Sequence, residues 1–297
     1  DPHGGQRDLQ AQLLRHVTDA FREDPVRILR VARFAARMPS FAVAPATLVL
    51  MQDMVQAGEV DALVPERVWQ ELSRGLMQAQ PSRMFEVLRA CGALARLLPE
   101  VDRLWGVPQR AEYHPEIDTG LHVLLCLRRA ADLQASAAVR FATLAHDLGK
   151  GLTPQAAWPK HHGHEGHGVA LVDQLCDRVK PPAAFRDLAR LACRHHGNLH
   201  RAFELRADTL LDLMESCDAF RRRERFAELL EACEADKRGR LGREAEPYPQ
   251  RALLSAALAA AAATPGWDKR AQALGAQARA LQAAKEFSTC VDLALAN

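Results

Sequence analysis

The sequence lacks the features that would take it out of the ordinary globular class. Among its 297 residues no stretch approaches eighteen apolar residues without a charge, and no basic-then-apolar leader opens the chain. A membrane-spanning helix and a secretory route are therefore not expected. Charge of one sign is also missing: 39 Lys and Arg against 37 Asp and Glu leave a net +2, too little to announce nucleic-acid binding. The seven cysteines (Cys91, Cys126, Cys176, Cys193, Cys217, Cys233 and Cys290) contain no CxxC pair. An odd number, mostly in apolar helical runs, reads as reduced core thiols in a cytoplasmic protein.

With 48% hydrophobic residues the chain can bury a substantial core, expected as an all-α fold of two or three helical subdomains. Its densest chemistry lies between Arg140 and His167. His146 and Asp147 close an apolar helical run (Val139, Phe141, Ala142, Leu144, Ala145, Leu148), and Gly149 stands where a helix C-terminal glycine belongs. An imidazole and a carboxylate buried side by side cost free energy unless their lone pairs are filled. A divalent metal fills them, and a nitrogen and oxygen donor set without cysteine suits Mn, Fe, Co, Ni or Mg better than a structural zinc. A lone His-Asp dipeptide is more often a hydrogen-bonded helix end, so its company decides.

That company is extensive. His122 lies on an earlier amphipathic helix with Leu125, Cys126 and Arg129 at helical spacing; His161, His162, His164 and His167 open a later one; His195 and His196 end a helix that starts near Pro182; and Asp218 sits in TLLDLMESCDAF. The series H, HD, H, H, D on successive helices resembles the HD superfamily of metal-dependent phosphohydrolases. The resemblance implies His122, His146, Asp147 and Asp218 as core metal ligands, with His164 and His196 completing a second metal position or meeting phosphate. His164 is preferred because GHE opens its helix, and His196 because it lies nearer the helix end than His195. Asp236, in CEADKRGR, is the rival to Asp218 and ranks second on loop length after His196. A bound divalent ion (Ni, Co, Mn or Mg) would acidify a water and polarise a phosphoryl oxygen. His146, Asp147 and Lys150 are the expected catalytic residues, Asp147 orienting the water and Lys150 offsetting phosphate charge; an exposed lysine at a helix end is the alternative for Lys150.

Nearer the start, FREDPVRILRVARFAARM puts Asp24 at an N-cap and Pro25 at the first helical position. Arg27, Arg30, Arg33 and Arg37 fall on one face, and Ile28, Leu29, Val31, Ala32 and Ala35 on the other. DPHGGQRDL followed by EDPVRILRVARFAAR resembles the segment leading out of the catalytic head of bacterial CCA-adding tRNA nucleotidyltransferases. VPERVWQELSRGLMQAQPSRMFEVLRACGALARLLPEVDRLWGVPQ looks like their neck and body, with Pro81 between two helices and LLPE ending the second. HPEIDTGLHV enters the HD region as in family members that carry one, and the likeness fades after about Gln250. It implies tRNA, CTP and ATP as partners. Glu23, Asp24, Arg27 and Arg30 would hold the nucleotide, a carboxylate accepting from an exocyclic amine and a guanidinium donating to ring nitrogen and carbonyl.

The implied organisation is a remnant of the nucleotidyltransferase head at 1–20, neck and body at 21–110, the HD phosphohydrolase at 111–245 and a helical tail at 246–297. Tail helices are broken at Thr264-Pro265-Gly266, and its charge comes from Lys269, Arg270, Arg279 and Lys285. The family's nucleotidyl transfer uses Mg held by a Gly-Ser stretch and a DxD pair. No DxD triplet occurs here and the first residue is Asp1, so the expectation is a fragment unable to add nucleotides whose HD centre hydrolyses 2',3'-cyclic and other phosphates. The alternatives are a stand-alone HD phosphatase or phosphodiesterase, and a non-catalytic RNA-binding module with structural histidines.

Overall fold

A computed structural model describes residues 1–295, except for the side chains of 267, 268 and 284–295, which include the expected Lys285 charge and Cys290. The fold is all-α, as expected. Helix α1 (Gly5–Gln10) opens it, the Asp1 carboxylate accepting from the amides of Gly5 and Gln6, where the sequence shows no helical periodicity. Strand β1 (Leu13–Leu14) pairs in parallel with β2 (Ala42–Val43), the only sheet among the described residues. Between them runs α2 (Val26–Arg37), which begins one residue later than expected: Pro25 holds the N-cap position, and Asp24 Oδ1, one residue before it, accepts from the Val26 amide.

The body continues through α3 (Pro45–Gln56), α4 (Pro65–Leu76), α5 (Ser82–Ala90), α6 (Ala93–Leu97) and α7 (Pro99–Asp102). Helix α5 stops earlier than expected, because Gly92 (φ +82°) breaks the run before LLPE. Next come α8 (Thr119–Asp132), capped by Asp118, and α9 (Ala137–Ala145), capped by Ser136. Then α10 (His164–Val179), α11 (Ala183–His200), α12 (Ala207–Ser216) and α13 (Arg223–Arg238) complete a bundle, and α14 (Pro249–Ala262) and α15 (Trp267–Leu295) form the tail.

Helix α9 is the axis of the bundle: every residue from Val139 to Asp147 is buried. Its apolar side chains explain why, since Phe141 alone, fully buried, contributes roughly 1.5–3 kcal/mol. Trp69 of α4 meets Phe141 edge to face at 5.5 Å and Phe185 of α11 at 4.9 Å. Arg140, also buried, donates to the carbonyls of Leu76, Gln78 and Ala135, so the end of α4 is tied to α9. The body and the bundle thus share one core.

Gly149 departs from the expected role. Its backbone is not left-handed; it lies in the short 3-10 turn Leu148–Leu152, where a Cβ would sit 1.9 Å from the His164 carbonyl oxygen and 2.8 Å from the Gly168 amide nitrogen. Close approach of this turn to α10, not helix capping, requires glycine there.

Candidate metal centre

The end of α9 delivers His146 and Asp147 into the middle of the bundle, and four neighbouring helices aim side chains at them. His122 comes from α8, His164 from the first residue of α10, His196 and His200 from the last turns of α11, and Asp236 from α13. Asp147 Oδ2 lies 3.2 Å from His146 Nε2 and 3.8 Å from His122 Nε2, while its Oδ1 lies 3.5 Å from both His164 Nε2 and His196 Nε2. Asp236 Oδ1 is 3.1 Å from His122 Nε2, and its Oδ2 is 3.8 Å from His146 Nε2. Two adjacent constellations result, with Asp147 next to both.

The outer nitrogens explain this orientation. Nδ1 of His146 reaches the Thr143 carbonyl at 2.7 Å, Nδ1 of His196 the Ala192 carbonyl at 2.9 Å, and Nδ1 of His164 the His161 carbonyl at 2.9 Å. A carbonyl oxygen can only accept, so each Nδ1 carries a proton and, in the neutral ring that a metal requires, each Nε2 offers a lone pair inward. His122 Nδ1 is held instead by the Glu116 carboxylate at 2.8 Å, which also takes His114 Nδ1 at 3.2 Å. Such outer partners fix ring orientation and raise ligand basicity. His146 Nε2, Asp147 Oδ1 and His164 Nε2 are buried without a hydrogen-bond partner. Orphaned inward lone pairs beside two carboxylates fit a divalent cation, and in histidine nitrogen and carboxylate oxygen they have the chemistry of a transition-metal site.

Charge follows the same layout. Burial would raise the carboxyl pKa of Asp147, but Lys150 and His146 hold it well below the usual range; Asp236 is likewise kept low by His200, His146 and His122 despite its burial. Burial opposes protonation of His146, yet Asp147 and Asp236 lift its imidazole to about 9. His196 is pushed well down by burial. Lys150 is not an exposed helix end: it is buried, with Nζ 2.7 Å from Asp147 Oδ2 and 2.5 Å from Gln109 Oε1.

The structure corrects the fifth helix. Asp218 lies beyond the end of α12 in a left-handed turn (φ +55°), its carboxylate 2.8 Å from Arg221, 3.4 Å from Arg222 and 3.7 Å from Arg225. Three guanidiniums already neutralise it on the surface. Asp236, ranked second from the sequence, stands in the cluster. His200 was not anticipated: α11 continues one turn past His196, and His200 Nε2 lies 2.6 Å from Asp236 Oδ2, with Nδ1 3.1 Å from the Tyr248 hydroxyl. Glu116 and Tyr248 were also missed, being outside the periodic segments. Of the other histidines, His161 is buried between Thr153 and the Pro108 carbonyl, His162 and His167 are exposed, and His195 lines a separate cleft with Arg190 and Arg194.

The nucleotide residues expected on α2 are only partly together. Arg27 and Arg30 line a cleft of about 550 Å³ with His16, Phe21 and Phe34. Arg27 donates to the Ala20 carbonyl and lies 3.8 Å from Glu23, whereas Asp24 is engaged by Arg67 at 2.6 Å; neither carboxylate lines the cleft.

Fold and centre define the class, a helical HD domain joined to a helical body. Residues 119–241 match the HD domain model, and 40–104 match the model described as the probable RNA and SrmB-binding site of polymerase A. The Multifunctional CCA protein of Paracidovorax citrulli (strain AAC00-1) is 63% identical over 94% of this chain and 66% of its own length. That of Cupriavidus necator (strain ATCC 17699) is 64% identical over 89% of this chain and 64% of its length. The chain belongs to the multifunctional CCA protein family of bacterial CCA-adding tRNA nucleotidyltransferases, and spans just under two thirds of the length of these curated relatives. Its fold is similar to a CCA-adding enzyme solved with ATP (TM-score 0.54, 15% identity, covering 88% of this chain and 54% of that one). It is also similar to the Thermotoga maritima CCA-adding enzyme solved with tRNA (TM-score 0.50, 15% identity, covering 92% and 66%).

Proposed function

We propose that the bundle is a metal-dependent phosphohydrolase acting on 2',3'-cyclic and other nucleotide phosphates, carried on a tRNA-binding body of a CCA-adding nucleotidyltransferase. The observation that carries it is the cluster of Nε2 atoms from His122, His146, His164 and His196 around Asp147 and Asp236 inside the bundle. A bound divalent ion supplies an acidified water and polarises a phosphoryl oxygen. Lys150 fixes Asp147 through Oδ2 and leaves Oδ1 towards His164 and His196. Water adds to phosphorus, one ester P–O bond breaks, and the departing ribose oxygen takes a proton, so a cyclic phosphate becomes a monoester. Arg194 and Asn198 line an open cleft with Glu165 and Gly166, next in sequence to His164, and would meet the rest of the substrate. In the body, Arg27 and Arg30 of α2, with Glu23 and Asp24 in the turn before it, would serve CTP and ATP recognition.

The test is hydrolysis of 2',3'-cyclic AMP and of a generic phosphomonoester with Ni, Co, Mn and Mg. Asp147→Ala and Asp236→Asn should lose activity with their folding intact, while Asp218→Asn keeps it. Absence of hydrolysis by wild type with every metal refutes the enzymatic reading.

A further inference from the structure

Besides His196 and His200, α11 carries Arg190, Arg194 and His195, which line a cleft of about 410 Å³ with Asp187 and with Arg225 of α13. Three guanidiniums border it against one carboxylate. That carboxylate is already shared, lying 3.8 Å from Arg225 and 4.0 Å from Arg222. Arg190 has a partner in Asp173 at 3.3 Å, whereas Arg194 is exposed and makes no ion pair among the described residues. A second, independent observation points to a ligand. His195 is only 8% exposed, lines the cleft and makes no hydrogen bond among the described residues, which leaves a buried polar group for an incoming partner. Arg225 Nε is likewise buried without a partner.

The cleft continues towards the metal centre. It shares Val169 and Arg194 with the cavity of about 520 Å³ that Glu165, Gly166 and Asn198 line, and Glu165 follows His164 directly. From Asp187 to Asn198 this groove tracks about 16 Å of helix, room for more than one phosphate of a strand. No Phe, Tyr or Trp lines either cavity, so the groove offers charge and no platform for stacking bases. Resting on the phosphohydrolase reading above, we infer that the cleft holds an internal phosphodiester of a strand whose terminal phosphate occupies the metal centre. Arg190, Arg194 and Arg225 supply charge-assisted hydrogen bonds to non-bridging phosphate oxygens, and the His195 ring adds an N–H donor. The centre therefore takes the end of an oligonucleotide in preference to a free nucleotide. Contacts to phosphate carry no sequence information, so the preference is independent of the bases.

The test compares kcat/KM on a tetranucleotide ending in a 2',3'-cyclic phosphate with that on 2',3'-cyclic AMP, and follows binding of a labelled, 3'-phosphorylated tetranucleotide to metal-free protein by anisotropy. Wild type should prefer the tetranucleotide by about tenfold or more, with the gain in KM, since one hydrogen bond to a charged group is worth that much. The double variant Arg190→Gln with Arg194→Gln should melt like wild type, erase that preference and bind the labelled strand about tenfold more weakly. Its binding should also lose about 0.7 of log–log salt slope for each phosphate contact removed. Arg128→Gln, an exposed arginine of α8 that lines neither cavity, should bind like wild type. Equal kcat/KM for the two substrates in wild type, or binding that the double variant retains, overturns the inference and leaves the metal centre standing. Inorganic phosphate that displaces the labelled strand as strongly as an unlabelled tetranucleotide assigns the cleft to a free anion and overturns the strand reading. Hydrolysis of neither substrate sinks the phosphohydrolase reading alone, and the anisotropy then decides the cleft.

Discussion

Gly149→Ala is the sharpest test of how the bundle positions its chemistry. The added Cβ would fall 1.9 Å from the His164 carbonyl oxygen and 2.8 Å from the Gly168 amide nitrogen, where ordinary contact begins at 3.4 Å, so the start of α10 must retreat by about 1.5 Å. Both obstacles are backbone atoms of a helix, and no side-chain rotation relieves them. The cost should reach about 3 kcal/mol, the top of the usual overpacking range. At roughly 2 °C per kcal/mol for a chain of this size, the melting temperature should fall by about 6 °C. The same retreat carries His164 away from Asp147, so metal titration should weaken in parallel. Gly166→Ala is the control on the same helix: its Cβ meets nothing within 4 Å, and alanine should be neutral or stabilising by up to about 1 kcal/mol. Equal melting temperatures for Gly149→Ala and wild type would refute the close-approach argument.

Glu116→Gln removes the carboxylate that holds His122 Nδ1 at 2.8 Å, and divalent-metal affinity measured by chelator competition should drop about 10- to 100-fold. Unchanged affinity would mean that the pair does not tune the centre. A third expectation concerns pH. The folded-state pKa of His146 is raised to about 9 from an ordinary 6.5, so in metal-free protein the charged imidazole's attraction to Asp147 and Asp236 is fully present below 6.5 and lost as pH rises through about 9. Melting temperature of chelator-treated protein should decline across that window; a flat profile would count against the His146 assignment.

The parts legible in the sequence were those written in helical periodicity. His122, His146, His164 and His196 each sit at a definite place on an apolar-periodic helix, and the structure brings all four together. Asp236 was legible too, but on a different signal from loop length. Leu229, Cys233 and Asp236 follow the spacing i, i+4, i+7, which puts a carboxylate on the buried stripe of α13. Asp218, by contrast, is followed by Arg221, Arg222 and Arg223, which marks a solvated anion. His200 was obscured by Gly197, which reads as a helix end although α11 runs through it. Gly149 was read as a cap because close approach between two backbones leaves no local trace.

Glu116 and Tyr248 were illegible for a further reason, and it bears on what the centre couples to. His146, His164 and His196 are oriented by carbonyls three or four residues earlier in their own segments, so α9, the turn before α10 and α11 each carry their own positioning. His122 and Asp236 are oriented from outside. Glu116 fixes His122 from the loop before α8 and accepts from the Leu241 amide through its other oxygen; Tyr248 holds His200, which holds Asp236, from just before α14. Arg240 and Arg243 reach the carbonyls of Tyr113 and Glu112, joining the two irregular segments. The constellation containing His122 and Asp236 is therefore the one whose geometry depends on loops between the body, the bundle and the tail. Asp147, His164 and His196 depend instead on the end of α9, the turn before α10 and α11, each of which carries its own orienting carbonyl or lysine.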